Sequence, residues 1–238
     1  RWRLDDYRFW LPLLGLYTGA RLSELCQLRL GDIREELGVW VISISSSGAR
    51  QLKTVDSERL VPLHKVILEA EFLAFHQQRL DATDGNLSAT LFENLRVYGD
   101  LSPGHTASRW FRGSDKDDKG CLGQCGLGDD ELTYHGLRHT FIQQFRRQKL
   151  DMLIGKALVG HADRSTTGGY GDCYPSYVLK EELDRIDFET STTHILYNDY
   201  KALQAQQGVF RIGRPVGAGT TKTASRPEKR HWQSRITR

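Results

Sequence analysis

The chain has 238 residues, 33 Lys/Arg against 30 Asp/Glu and 39% hydrophobic residues, enough to bury one full core with a short accessory segment. Its net charge of +3 is uneven. Ala205 to Arg238 carries eight Lys/Arg against the single acid Glu228, which leaves 25 basic and 29 acidic residues in the rest. No run of about twenty apolar residues is present, which argues against a membrane-spanning helix, and no signal-peptide pattern is seen in the sequence. Four cysteines (Cys26, Cys121, Cys125, Cys173) do not make a disulfide framework in a chain of this size, so a reducing cytoplasmic setting is expected.

In chain order, the apolar stretch Leu4 to Tyr17 predicts a core helix that Thr18-Gly19 ends. Arg21 to Arg29 reads as a short helix with Leu22, Leu25 and Leu28 inward. Val39 to Ile44 reads as a strand, Ser47-Gly48 as a turn and Arg59 to Leu63 as a returning strand, which places Lys53 on or near a hairpin. His64 to Leu80 is expected to be one amphipathic helix and Ser108 to Phe111 part of another. Gly113 to Asp130, rich in glycine and aspartate, reads as a loop. From Tyr134 onward, Leu137, Phe141 and Phe145 form an i, i+4, i+8 stripe, the buried face of a helix. Asp151 to Val159 predicts a further helix with a tight exit at Gly160-His161. Ser176 to Ile186 and Tyr197 to Gln206 read as later helices. The basic, Gly/Thr/Ser/Pro-rich stretch from 205 to 238 has no apolar periodicity and reads as disordered.

Six residues fall in an order that suits one chemistry. Arg21 lies in TGARLSEL, Lys53 in LKT, and His135 and Arg138 in YHGLRHTF. His161 follows LVG, and Tyr170 comes nine residues after it. A phosphodiester is anionic, and its pentacoordinate transition state spreads more negative charge onto the equatorial oxygens. Guanidinium forks match that geometry and stay charged. Removing a donor aimed at developing charge typically costs roughly 100- to 1000-fold in rate. A tyrosine with a pKa of about 10 is a poor nucleophile at neutral pH and needs a neighbouring base or a cationic pocket. A lysine whose pKa is lowered by cationic neighbours can protonate the leaving alkoxide. No metal or other cofactor is required.

These stretches resemble the tyrosine recombinase (phage integrase) family, in its catalytic domain. Thr18 to Leu25 is similar to the family's first arginine box, and Tyr134 to Phe141 to its H-x-x-R box. Leu158 to Tyr170 is similar to the terminal box, with its nine-residue histidine-to-tyrosine step. Lys53 with Ser57 to Leu63 is similar to the β-hairpin lysine segment. The resemblance runs from about Arg1 to about Ile186. It implies an α+β, mostly helical catalytic fold with a small antiparallel sheet over residues 1–204, and an amino-terminal DNA-clamping domain ahead of it. The implied substrate is double-stranded DNA, cut and rejoined through a 3′-phosphotyrosyl bond to Tyr170. Arg21 and Arg138 would clamp the scissile phosphate, and Lys53 would act as general acid. His135 would assist proton transfer, and His161 would donate a hydrogen bond. Glu24, at i+3 from Arg21, is a plausible partner for it. Gly168 and Gly169 before Tyr170 depart from the family's bulkier residues and favour a mobile nucleophile segment. A homotetramer on paired sites, an accessory directionality factor and association with the nucleoid when bound to DNA also follow from the resemblance alone.

Other readings stand beside this one. The same boxes suit a type IB topoisomerase-like relaxation activity, or a DNA-binding protein of this fold that has lost catalysis. Arg50 and Lys65 are the nearest cations to compete with Lys53, while Arg59 is expected to pack or pair. Tyr174 and Tyr177 compete with Tyr170 but lack its step from His161. His135 and His139 have the i, i+4 spacing of a helical zinc site, but Gly136 stands where the zinc hydrolases need glutamate. Cys121 and Cys125 add only a weak ligand signal. His139 is therefore expected to pack or hydrogen-bond in the core, and His194 to be structural. The basic segment from 205 to 238 is either a sequence-independent DNA contact or a solvated tail.

Overall fold

The apolar run that opens the sequence forms the helix on which the other elements stack. In a computed structural model, described over residues 6–46, 58–95, 101–102, 104–113, 120–127, 132–161, 174–188, 197 and 201–202, α1 spans Asp6–Thr18. It buries Trp10, Leu11 and Leu14 completely and packs against α2 (Leu22–Cys26), α3 (Lys65–Glu69) and α7 (His135–Arg147). The expected stripe on α7 is where the pattern put it. Phe141 and Phe145 are fully buried and Leu137 packs at the edge of the core. Each such aromatic is worth about 1.5–3 kcal/mol of burial.

Three strands form one antiparallel sheet in the order β1-β2-β3, so the expected antiparallel pair is present, extended by a third strand. β1 (Ile33–Glu36) turns into β2 (Val39–Ile44) through Leu37 and Gly38, both with positive φ (51° and 78°), the geometry of a two-residue hairpin. β2 then pairs with β3 (Arg59–Pro62), Ile44 facing Arg59 and Ile42 facing Val61. At the open end of that pair the Ser46 amide donates to Glu58 Oε1 (2.9 Å). Lys53 lies outside the described residues. α9 (Ser176–Leu183) covers β2 and β3, and Ser176 Oγ donates to the Glu36 carbonyl (2.9 Å).

Several expected boundaries shift for identifiable reasons. The helix expected from Arg21 to Arg29 stops at Cys26, because the following residues pair with a distant segment. The Leu91 amide donates to Leu28 O (2.9 Å) and the Leu30 amide to Ala89 O (3.0 Å). The single helix expected from His64 to Leu80 is two, α3 and α4 (Phe72–Asp81), parted at Glu71 in the left-handed region (φ 71°). That break swings Phe72 and Phe75 onto Trp10 (ring centroids 4.9 and 5.5 Å) and Tyr197 onto the same cluster, an aromatic gain that outweighs one continuous helix. Gly113 to Asp130 is not all loop, since α6 (Gly120–Gln124) forms there and packs on α5 (His105–Arg112). α8 (Met152–Val159) starts where Asp151 Oδ1 accepts from the Leu153 amide (2.7 Å). Beyond α9, Tyr197, Lys201 and Ala202 are helical, and the basic stretch from 205 lies outside the described residues.

Candidate active site

The centre of the site is Arg138, a guanidinium only 4% exposed on the inner face of α7. Nη1 donates to the Gly19 carbonyl (2.8 Å) and Nη2 to the Val159 carbonyl (2.6 Å), so one side chain ties the entry to α2 and the exit from α8 to α7. Gly19 makes the first contact possible. It has φ 61°, and a Cβ there would stand 2.6 Å from the Phe141 ring. Burial, then the guanidiniums of Arg21 and Arg59, bring Arg138 down to about 10, with Glu24 pulling the other way, so it remains a cation at neutral pH.

Arg21 caps α2. Its amide donates to Glu24 Oε2 (2.8 Å) and its Nη1 pairs with Glu24 Oε1 (2.6 Å), two bonds from one residue to one carboxylate that the i+3 spacing anticipates. Glu24 is buried and holds a second cation, with Arg59 Nη2 2.9 Å from Oε2 and Nη1 3.4 Å from Oε1. Burial pushes the Glu24 carboxyl up, but the hydrogen bonds and charge of Arg59 and the bonds from Arg21 outweigh it and hold the group below its ordinary value.

The end of α8 carries His161. The Gly160 amide donates to Ala157 O and the His161 amide to Lys156 O (both 3.0 Å), with Gly160 at φ 66°, which closes the helix in a Schellman turn. The other two terminal carbonyls go to arginines, Leu158 O to Arg59 Nε (2.7 Å) and Val159 O to Arg138. His161 leaves this turn exposed to solvent. Partial burial and the nearby charges of Arg138, Arg21, Arg59 and Lys156 hold its imidazole below the ordinary value, so it is neutral at pH 7. His135 opens α7, exposed, with its ring edge-to-face against His139 at 4.7 Å. His139 was expected in the core. It is exposed instead, because it lies on the face of α7 opposite the Phe141–Phe145 stripe.

Arg21, His135 and Arg138 line one open cleft of about 230 Å³ with Ala20, Leu22, Ser108, Arg112, Thr133 and Tyr134, and the guanidiniums of Arg21 and Arg138 disfavour protonation of the His161 ring. Four of the six expected residues therefore surround one positive region. Lys53 and Tyr170 lie outside the described residues, as do Arg50, Gly168, Gly169, Cys173 and His194. Lys65 heads α3 and its amide bonds Asp184 (2.8 Å), Tyr174 packs at the core and Tyr177 is exposed. Cys121 and Cys125 sit on and just after α6, and among the described residues no three His, Cys, Asp or Glu side chains gather as a metal cluster. The sequence reading missed Ser108 and Arg112. Their i, i+4 spacing on α5 was a readable sign that both could share one face.

The phage integrase family model matches residues 8–176, most of the chain. The chain belongs to the phage integrase family. It is 31% identical over 184 residues to the tyrosine recombinase XerA of Pyrococcus horikoshii, covering 76% of this chain and 55% of that protein. It is 28% identical over 187 residues to the tyrosine recombinase XerD of Brucella suis, covering 77% and 52%. The chain thus spans about half the length of the curated relatives it matches. Among solved structures, XerA recombinase aligns with a TM-score of 0.47 at 22% identity, over 86% of this chain and 59% of that one. The α+β architecture, mostly helical with a three-stranded antiparallel sheet, is the one expected from the sequence. Among the described residues no helix is long and apolar enough to cross a membrane.

Proposed function

We propose that this integrase-family chain is a site-specific recombinase that cuts and rejoins double-stranded DNA, with Tyr170 as its nucleophile. The observation that carries the reading is Arg138. A guanidinium buried between the Gly19 and Val159 carbonyls, with Arg21 and Arg59 near enough to lower its pKa, makes a pre-set positive seat open to a cleft. Such a seat suits a phosphodiester in its transition state better than a neutral substrate.

In the proposed reaction the Tyr170 oxygen attacks the phosphorus and the P–O5′ bond breaks. The phenol proton leaves with the help of His135, and Lys53 supplies a proton to the departing 5′-oxygen. Arg21 and Arg138 hold the non-bridging oxygens. His161, neutral when free, donates one N–H to the phosphate and can take up a proton as the anion binds beside it. A 5′-hydroxyl of a second strand then attacks the phosphotyrosine, which restores Tyr170. One phosphodiester replaces another, so the chemistry needs no energy-supplying cofactor. A tetramer on paired sites and an accessory directionality factor belong to the same proposal, as do residues 1–204 acting as the catalytic unit and the basic stretch 205–238 contacting DNA backbone.

Trapping on nicked duplexes that tile the DNA flanking the gene tests the reading. Wild type should give a denaturation-resistant protein–DNA adduct. Tyr170→Phe should give none while binding DNA nearly as well, because only the nucleophilic oxygen is lost. An adduct of equal yield from Tyr170→Phe would remove Tyr170 from its role.

A further inference from the structure

We infer that Arg59 is a positioning residue of this reaction, the joint that holds the Leu158–His161 turn and the Glu24–Arg21 pair in one frame. The inference rests on the strand-cleavage reading above and adds to it a residue outside the six.

Arg59 stands at the start of β3, its side chain 7% exposed. Three of its nitrogens are committed in two directions. Nε donates to Leu158 O at 2.7 Å, while Nη2 and Nη1 reach the two oxygens of Glu24 at 2.9 and 3.4 Å. Glu24 in turn holds both the amide and the guanidinium of Arg21. The residue after Leu158 gives its carbonyl to Arg138, and two residues further on is His161. One rigid fork therefore references the phosphate-clamping arginine of α2, the buried arginine of α7 and the histidine turn of α8 to the same strand. That strand follows the segment carrying Lys53, and the turn precedes the segment carrying Tyr170.

A simple stabilising ion pair is a weaker account. A buried Arg–Glu pair contributes little net stability compared with an apolar pair of similar volume, so its presence argues for a geometric task. The fit at Gly160 points the same way, since a Cβ there would lie 3.0 Å from Arg59 Nη1. Lysine offers one compact charge in place of the planar fork, so a single Nζ would have to serve both Glu24 and Leu158, which separate nitrogens of Arg59 now serve.

The test uses Arg59→Met and Arg59→Lys in this chain, each alone and combined with His161→Gln. Single-turnover cleavage is measured at saturating protein on whichever nicked duplex wild type cuts, alongside DNA affinity and the His161 ring titration by NMR without DNA. Arg59→Met should slow cleavage roughly 100-fold, the scale of a misplaced group, with affinity changed less than about threefold. The same change made in His161→Gln should cost much less than in wild type, because the two act through one turn. Arg59→Lys should restore only part of the rate. The His161 titration should move upward in Arg59→Met, since a neighbouring cation is gone and the turn is freed. Equal cleavage losses in the two backgrounds, or a His161 titration superimposable on wild type, would overturn the proposal. No adduct from wild type on any duplex would overturn the strand-cleavage reading instead, and the titration would still decide whether Arg59 sets the turn. Should Arg59→Met lose cooperative unfolding, Arg59→Lys decides, with a wild-type rate overturning the joint.

Discussion

Two buried polar regions of this molecule solve the same problem in opposite ways. Beneath α9, His64 is fully buried and neutral. Its Nδ1 accepts from the Val66 amide (3.1 Å) and its Nε2 faces Ile186 O (3.2 Å), which fixes the tautomer, while its ring lies 4.6 Å from Tyr17. At the cleft, Arg138, Arg59 and Arg21 remain charged around Glu24. Burial, and after it the charges of the neighbouring guanidiniums, lower the pKa values of both Arg138 and His161, and that second contribution marks the local field as positive. The first arrangement holds the fold and asks for no ligand. The second gathers like charges that repel one another and is relieved when an anion enters. A fold-holding group is satisfied where it sits, whereas a site is completed by its substrate.

The sharpest break of that contrast is Arg138→Ala. It removes a donor aimed at the proposed phosphate and leaves the Gly19 and Val159 carbonyls to find new partners. Cleavage should fall at least about 100-fold, measured as adduct formed per unit time, and a loss below threefold would exclude Arg138 from the clamp. The same substitution should lower stability by about 1–3 kcal/mol in denaturant unfolding, the cost of buried groups left unsatisfied.

His64 should answer to pH where the cleft answers to substrate. Burial, with the charges of Lys180 and Lys65 on the same side and Asp184 and the Ile186 carbonyl opposing, lowers its pKa from 6.5 to about 4. The folded value lies below the unfolded one, so the unfolded chain takes up the proton first as pH falls. Stability from this group is fully present above about 6.5 and is lost progressively down to about 4, a total of about 3 kcal/mol. Denaturant unfolding from pH 7 to pH 4 should show that drop in wild type. His64→Gln, whatever it costs at pH 7, should lack it, and an identical drop in the variant would remove His64 as the cause.

How much of this was legible in the sequence depends on whether the interaction is local. Arg21 with Glu24 lies within one helical turn, and the Phe141–Phe145 stripe within another, so spacing alone reveals them. The exit at Gly160 is legible because the left-handed turn favours glycine. The split of α3 from α4 was not, since it answers to Trp10 and Tyr197, residues far away in the chain. Arg59 to Leu158 spans 99 positions, and no local pattern marks which of 33 basic residues will reach that carbonyl. Arg59 was expected only to pack or pair. Its second bond, to the end of α8, is what gives the pairing a place in the site.

The smallest expected effect separates scaffold from site most cleanly. Gly38 and Gly160 both sit in the left-handed region, at φ 78° and 66°. A Cβ on Gly38 would meet nothing within 4 Å, whereas one on Gly160 would stand 3.0 Å from Arg59 Nη1 and 3.2 Å from its Cδ. Gly38→Ala and Gly160→Ala should therefore share a backbone cost of about 1 kcal/mol and differ in what the new methyl displaces. In the hairpin it displaces water, and cleavage should stay at the wild-type rate. At the end of α8 it presses on the guanidinium that bonds Leu158 and Glu24, which must give by a few tenths of an ångström. The rate should then fall further than the stability loss accounts for. Equal rates in two equally stable variants would mean that the turn tolerates the shift, and that the fork on Leu158 holds the fold without setting the chemistry.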